Sequence, residues 1–216
     1  MTLLSAGITG TSAPPTGATH YYPGNEASGT TVADNAGSAD LTVNGATWVQ
    51  DGRFRGGYGL SFDGTDDNLT GSWTHSGPIT MIVRCETTNT SEFRDVLGTG
   101  AVYIVGNGGS EWRLTTINCR VDDPNAQGTA RTLVGRQRYP SGGNYQLALD
   151  VYDQNGALIG SDTHSENADY GSPGGDFYVG SGAGEKWFAG LIDPNITIAD
   201  SWLSDAEIGT ILQNYY

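Results

Sequence analysis

Lysine is almost missing from this chain. Lys186 is the single lysine among 10 basic residues, which face 24 acidic ones for a net charge of −14. A surface of that sign repels a phosphate backbone, so nucleic acid is excluded as a partner. Long hydrophobic runs are missing too. No stretch approaches the ~20 apolar residues a membrane-spanning helix needs, so no membrane insertion is expected. Cysteine is scarce: Cys85 and Cys119 are too few for the disulfide scaffold of a small secreted domain. Both sit in alternating apolar runs, which leaves one bridge and two buried thiols equally open. The opening segment carries no positive residue and only Leu3-Leu4 as an apolar core, so it does not read as a signal peptide. If Met1 is the native start, export by the general route is not expected.

What the chain does have is small and polar. Gly (33), Thr (24) and Ser (16) make up 73 of 216 residues, a composition that disfavours a helical protein, while 37% apolar content suffices for one substantial core. Asp outnumbers Glu 17 to 7. Two readings of that acidity stand side by side: a protein adapted to very high salt, as in a halophilic setting, or an ordinary acidic extracellular β-protein.

Residues 1–18 have the composition of an extended N-terminal arm, and residues 19–216 form one domain. Short β runs fill that domain, separated by Gly, Asn, Asp or Pro. They are expected at 19–22, 41–43, 47–50, 59–63, 79–86, 102–105, 112–120, 131–135, 145–152, 157–161, 177–179 and 192–199. In the run Tyr145 to Tyr152, Tyr145, Leu147, Leu149 and Val151 share one face, and the other face is wetter. Asp153-Gln-Asn-Gly-Ala157 then turns the chain into a hairpin. Some twelve strands at this spacing predict a sandwich or barrel. One helix is expected, at the end: Ser204-Asp-Ala-Glu207 is a capping box, and Ile208, Ile211 and Leu212 recur at i, i+3, i+4.

The stretch LTVNGATWVQDGRFRGGYGLSFDGTDD, with the closing segments Asp176 to Gly180, Trp187 to Asp193, Ile196 to Ile198 and Trp202 to Ile208, resembles laminin G-like domains. These belong to the concanavalin A-like lectin/glucanase jelly-roll superfamily. The resemblance covers roughly residues 19–213 and implies an all-β fold: an antiparallel β-sandwich (jelly roll) with one short C-terminal helix. Pro194 departs from the pattern, because it follows Ile-Asp where a donating strand residue is usual, so the strand there is expected to be an edge or bulged. The same resemblance allows a structural Ca²⁺, with Asp34 and Asp193 at the matching positions. Asp63, Asp66 and Asp67 form a second oxygen-rich loop.

Catalytic signals are weak. The E-x-D-x-x-E spacing of glucanases on this fold is missing, Glu92/Asp95 and Asp162/Glu166 being the nearest approaches, and His20, His75 and His164 stand apart. The Arg136-Gln-Arg138-Tyr139 cluster reads as packing or ion pairing. Trp48, Trp187 and Trp202 lie inside the family motifs and are expected in the core. Trp73, Trp112, Tyr139 and Tyr170 lie at loop margins and are the candidate ligand-binding residues, as stacking faces for sugars.

A lectin-like fold with a low-complexity arm and no export signal leads to one expectation: a non-catalytic structural or attachment protein on a virion surface, as capsid decoration, turret or tail fibre. Its arm would pack against neighbouring subunits of a homo-oligomer, and its loops would meet host-cell glycans. The alternatives are an extracellular carbohydrate-binding or adhesion module of a secreted system, and an enzyme acting on polysaccharide.

Overall fold

The computed structural model describes residues 13–54, 56–73, 75, 77–88, 93–99, 102–107, 110–114, 119–138, 144–166, 175–181 and 186–216. Sixteen strands and one helix are described: β1 (His20–Tyr22), β2 (Thr31–Val32), β3 (Leu41–Asn44), β4 (Thr47–Gln50), β5 (Tyr58–Asp63), β6 (Asn68–Trp73), β7 (Ile79–Thr87), β8 (Phe93–Thr99), β9 (Val102–Asn107), β10 (Glu111–Leu114), β11 (Cys119–Asp122), β12 (Arg131–Arg138), β13 (Tyr145–Tyr152), β14 (Leu158–Glu166), β15 (Gly175–Val179), β16 (Ala189–Ala199) and α1 (Asp205–Tyr215). They form an antiparallel β-sandwich. Sheet A runs β14-β13-β12-β7-β16-β5-β4, with β1 added against β16, and sheet B runs β11-β10-β9-β8-β15-β6-β3-β2.

Period-two alternation builds the core. Ile79, Met81, Val83 and Cys85 of β7 join Leu147, Leu149 and Val151 of β13 in one cluster with Leu69, Ile104, Leu114, Phe177 and Val179 of sheet B. The other face of sheet A is not wet as expected. Ile82, Val134 and Ala199 turn outward into a second apolar layer with Ile208 and Ile211 of α1, which explains why β7 reads as a nearly continuous apolar run. Beside that layer Arg136 pairs with Asp150 at 2.7 Å, both side chains 7% exposed, and also reaches Asp205. Arg138 and Arg136 stack on Trp202, so the Arg136–Tyr139 cluster is structural as far as it is described.

The capping box forms as expected: Ser204 accepts from the Glu207 N–H, and Glu207 accepts from the Ser204 N–H at 2.7 Å. The 153–157 hairpin also forms, with Gly156 at φ 81°. At Pro194 β16 is bulged. Asp193 faces Arg84 of β7 while Thr197 faces Ile82, so three residues of β16, Pro194 to Ile196, lie opposite the single Val83 of β7. There β16 exchanges one neighbour for another, leaving β5 after Ile192 and gaining β1 from Ile196. Both cysteines are buried free thiols. The expected strand 112–120 is instead two strands of a hairpin, β10 and β11, pairing Trp112 with Val121.

Residues 1–12 of the arm lie outside the described residues. Residues 13–18 rest against the chain's own C-terminal segment: the Tyr215 hydroxyl donates to the Ala13 carbonyl, and Gly17 lies beside Leu203.

Candidate functional site

The two expected metal positions differ sharply. Asp34 is 9% exposed and accepts from the main-chain N–H groups of Tyr21, Ala36, Gly37 and Ala39, with His20 Nδ1 at 2.6 Å from its Oδ2. Burial pushes its pKa up, but the bonds from His20 and the main chain outweigh burial and hold the carboxyl well below the usual carboxylate range. Its lone pairs are spent on closing the 34–39 loop, so it does not fit a metal ligand. Asp193 is 1% exposed and accepts only from the Asn195 N–H, leaving Oδ2 buried without a partner. Burial pushes its carboxyl up to about 7, against the Asn195 N–H and the Arg84 charge. A cation there would face the Arg84 guanidinium, so this position does not fit one either. Asp63, Asp66 and Asp67 do bring three carboxylates within 4.8 Å of one another. Two of them organise their own turn, Asp67 accepting from the Asp63 N–H and Asp63 from the Thr65 N–H.

The aromatic expectations fare unevenly. Trp112 is fully buried, its ring packed in the core and its indole N–H given to Asp123 at 3.1 Å, so it offers no stacking face. Trp73 is half-buried and wedged against His20 and Phe177, at 5.1 and 4.9 Å between ring centroids. Tyr139 and Tyr170 lie outside the described residues.

The structure shows instead a strip on the outer face of sheet B. Register places Thr42, Thr70, Tyr178, Gly98 and Tyr103 side by side across β3, β6, β15, β8 and β9. Their neighbours in sequence, Val43, Leu69, Phe177, Leu97, Val102 and Ile104, all point into the core. Gly98 has a reason to be glycine, since a Cβ built there would lie 2.0 Å from Tyr103 Cδ1. The Tyr103 ring therefore lies over the bare strand at Gly98. Tyr178, two strands away, donates to Asp176 at 3.2 Å. Asn44 extends the strip, bonding Asn68 at 2.8 Å and Thr70 at 3.3 Å. Near Tyr103, burial pushes the Asp95 carboxyl up to about 6 despite the Lys186 charge.

Two carboxylates flank this strip, Asp95 and Asp176. Leu97 faces Val179 and Thr99 faces Phe177, so Asp95 and Asp176 stand at opposite ends of the β8–β15 ladder. That separation is roughly 13 Å or more along the strands, beyond the ~5–9.5 Å of a glycosidase pair.

A cleft of about 450 Å³ opens on the other sheet, between the end of α1 and the β13–β14 turn. Arg84, Tyr152, Gln154, Asn155, Gln213 and Tyr216 contribute to its lining. Its single carboxylate, Asp153, is tied to its own turn by the N–H groups of Asn155 and Ala157.

No protein-family model matches the sequence, and no curated protein does. Solved structures do. The chain is similar to the Trypanosoma rangeli sialidase in complex with 2,3-difluorosialic acid, with TM-score 0.65 and 16% identity over 93% of this chain and 34% of that one. It is also similar to the botulinum neurotoxin serotype D binding domain, with TM-score 0.62 and 10% identity over 93% of this chain and 51% of that one. The chain thus spans about a third of the sialidases and half of the toxin domain. At these identities the likeness establishes the β-sandwich fold alone. The expectation of a virion surface protein is overturned: the similar structures are sialidases and toxin binding domains, and they lend a viral structural role no support.

Proposed function

We propose that this chain is a carbohydrate-binding module of an extracellular system, engaging glycans through the outer face of sheet B without cleaving them. One observation carries the reading: Gly98 leaves room for the Tyr103 ring over the sheet, in register with Tyr178 two strands away. Aromatic rings on an open sheet face take the apolar face of a pyranose, and the flanking hydroxyls and amides of Thr70, Asn44 and Asn68 exchange hydrogen bonds with its hydroxyls. The span from β9 to β15 is two strand spacings, about 9.5 Å, so the strip suits more than one sugar ring.

The test is a glycan array probed with the purified chain. Sialylated as well as neutral glycans belong on it, because a similar sialidase structure holds sialic acid. Binding should fall about tenfold, or 1.4 kcal/mol, in Tyr178→Ala and in Tyr103→Ala. Tyr178 is partly exposed, so its variant keeps the parent's melting temperature. No retention on any glycan, or binding by both variants undiminished from the parent, would sink the reading.

A further inference from the structure

The cleft beside α1 stands on different residues. Arg84 is 5% exposed at its base; Nη1 donates to the Tyr216 main-chain oxygen at 3.1 Å and Nη2 to the Gln154 carbonyl at 3.0 Å. A guanidinium has five N–H donors, so three are uncommitted, and the Nε–H is fully buried without an acceptor. Behind it, across the β7–β16 ladder, Asp193 Oδ2 and Asn195 Oδ1 are buried acceptors without donors. Of these three residues only Arg84 lines the cleft, and its uncommitted N–H groups are what the cleft wall brings to an occupant.

The chemistry of the surroundings selects the occupant. Arg84 brings N–H donors to the cleft, the side-chain amides beside it bring both donors and acceptors, and a hydroxyl meets either. Charge selects against an anion, because Asp153 lines the cleft and Asp51 lies close enough to act on the Arg84 charge. The amide side chains of Gln154, Asn155 and Gln213 line the cleft along with the Tyr152 and Tyr216 rings, and about 450 Å³ falls within the range of small-molecule sites. We propose that the cleft between α1 and the β13–β14 turn is a second binding site, for a single neutral sugar unit. The open strip on sheet B would then grip the length of a glycan and the cleft a terminal residue.

Gly209 supplies a clean way to close the cleft. It lies on α1 in the lining, and a Cβ added there meets nothing within 4 Å. Gly209→Leu fills the cavity and also raises helix propensity, so the variant should fold at least as well as the parent. The experiment titrates the full chain, observed by backbone amide NMR, with methyl glycosides of glucose, galactose, mannose and fucose, and with glucuronate as the charged control. At least one neutral glycoside should shift the amides of Asn155, Gly156 and Gln213 and saturate at one per chain. Glucuronate should bind at least tenfold more weakly. Gly209→Leu should abolish the shifts with its melting temperature undiminished, and Tyr103→Ala should leave them intact. Silence of the whole neutral panel, tighter binding of glucuronate, or shifts that survive Gly209→Leu would each overturn the proposal. Loss of array binding in Tyr178→Ala with the cleft shifts unchanged separates this site from the strip.

Discussion

Asp34 and Asp193 are the same residue type at 9% and 1% exposure, yet their surroundings push them in opposite directions. The 34–39 loop wraps Asp34 in its own main-chain N–H groups, and β1 adds the Tyr21 N–H and the His20 ring. Gly37 makes the wrap possible, since a Cβ there would lie 2.6 Å from Asp34 Oδ2 and 2.8 Å from His20 Nδ1. Asp193 sits at a bulge whose next residue, Pro194, has no N–H to give, so a single donor reaches it. Burial alone does not fix a carboxylate's state; the supply of donors does. The saturated site is a fastening, and the starved one is a buried acceptor left unmet.

The largest effect that sharpens this contrast is expected from Asp34→Ala, which strips four main-chain N–H groups, the buried one of Tyr21 among them, and the His20 ring of their acceptor at once. A loss of about 3–5 kcal/mol at pH 7 follows, or roughly 10 °C of melting temperature, readable by thermal and urea denaturation. Because the folded carboxyl is held below its unfolded value, its contribution is present above the ordinary carboxylate range and fades as pH falls. The gap between parent and variant should therefore narrow on acidification. A gap below about 1 kcal/mol would break the comparison.

Asp193→Asn should act with the opposite sign. Its carboxyl is raised from 3.8 to about 7, so its favourable contribution is complete below pH 4 and is lost as pH climbs to 7. The variant should gain on the parent across that window and end about 1–3 kcal/mol more stable at pH 8. A difference that stays flat from pH 4 to pH 8 would show that Asp193 titrates as an ordinary surface carboxylate.

The regular parts of this fold were legible because local chemistry and tertiary packing agree there. The capping box at Ser204 and the turn at Gly156 formed where expected, and the missing N–H of Pro194 announced the bulge. β8 escaped because its own bulge at Val96 puts Val96 and Leu97 both in the core and destroys the period. β6 escaped because Leu69 is its single wholly core-facing apolar residue. The site was less legible for a related reason. Trp112 looked like a loop-margin ring because its strand was run together with β11, whereas the hairpin carries it into the core. Tyr103 and Tyr178 are 75 residues apart in sequence and meet only through the pairing of β8 with both β9 and β15. The pairing Gly98–Tyr103 is a signal that could have found them, as a glycine with an aromatic across the hairpin, but it needs the register to be known. Asp193's orphaned oxygen likewise depends on which strand lies beside the bulge.

The smallest effect probes whether charge pairing or donor count holds Asp34. His20 contributes one contact to the carboxylate, and its ring also packs against Trp73 at 5.1 Å and Tyr22 at 6.5 Å. His20→Phe keeps a flat ring in that stack and deletes the hydrogen bond. Asp34 then retains four main-chain donors, so the expected loss is about 1–1.5 kcal/mol, a fraction of that in Asp34→Ala. A loss as large as in Asp34→Ala would mean that the imidazole, not the loop's N–H groups, sustains the buried charge. In that case the two carboxylates would differ by one ion-pairing partner rather than by how the chain wraps them, and Asp193 could be quieted by a single histidine placed beside it.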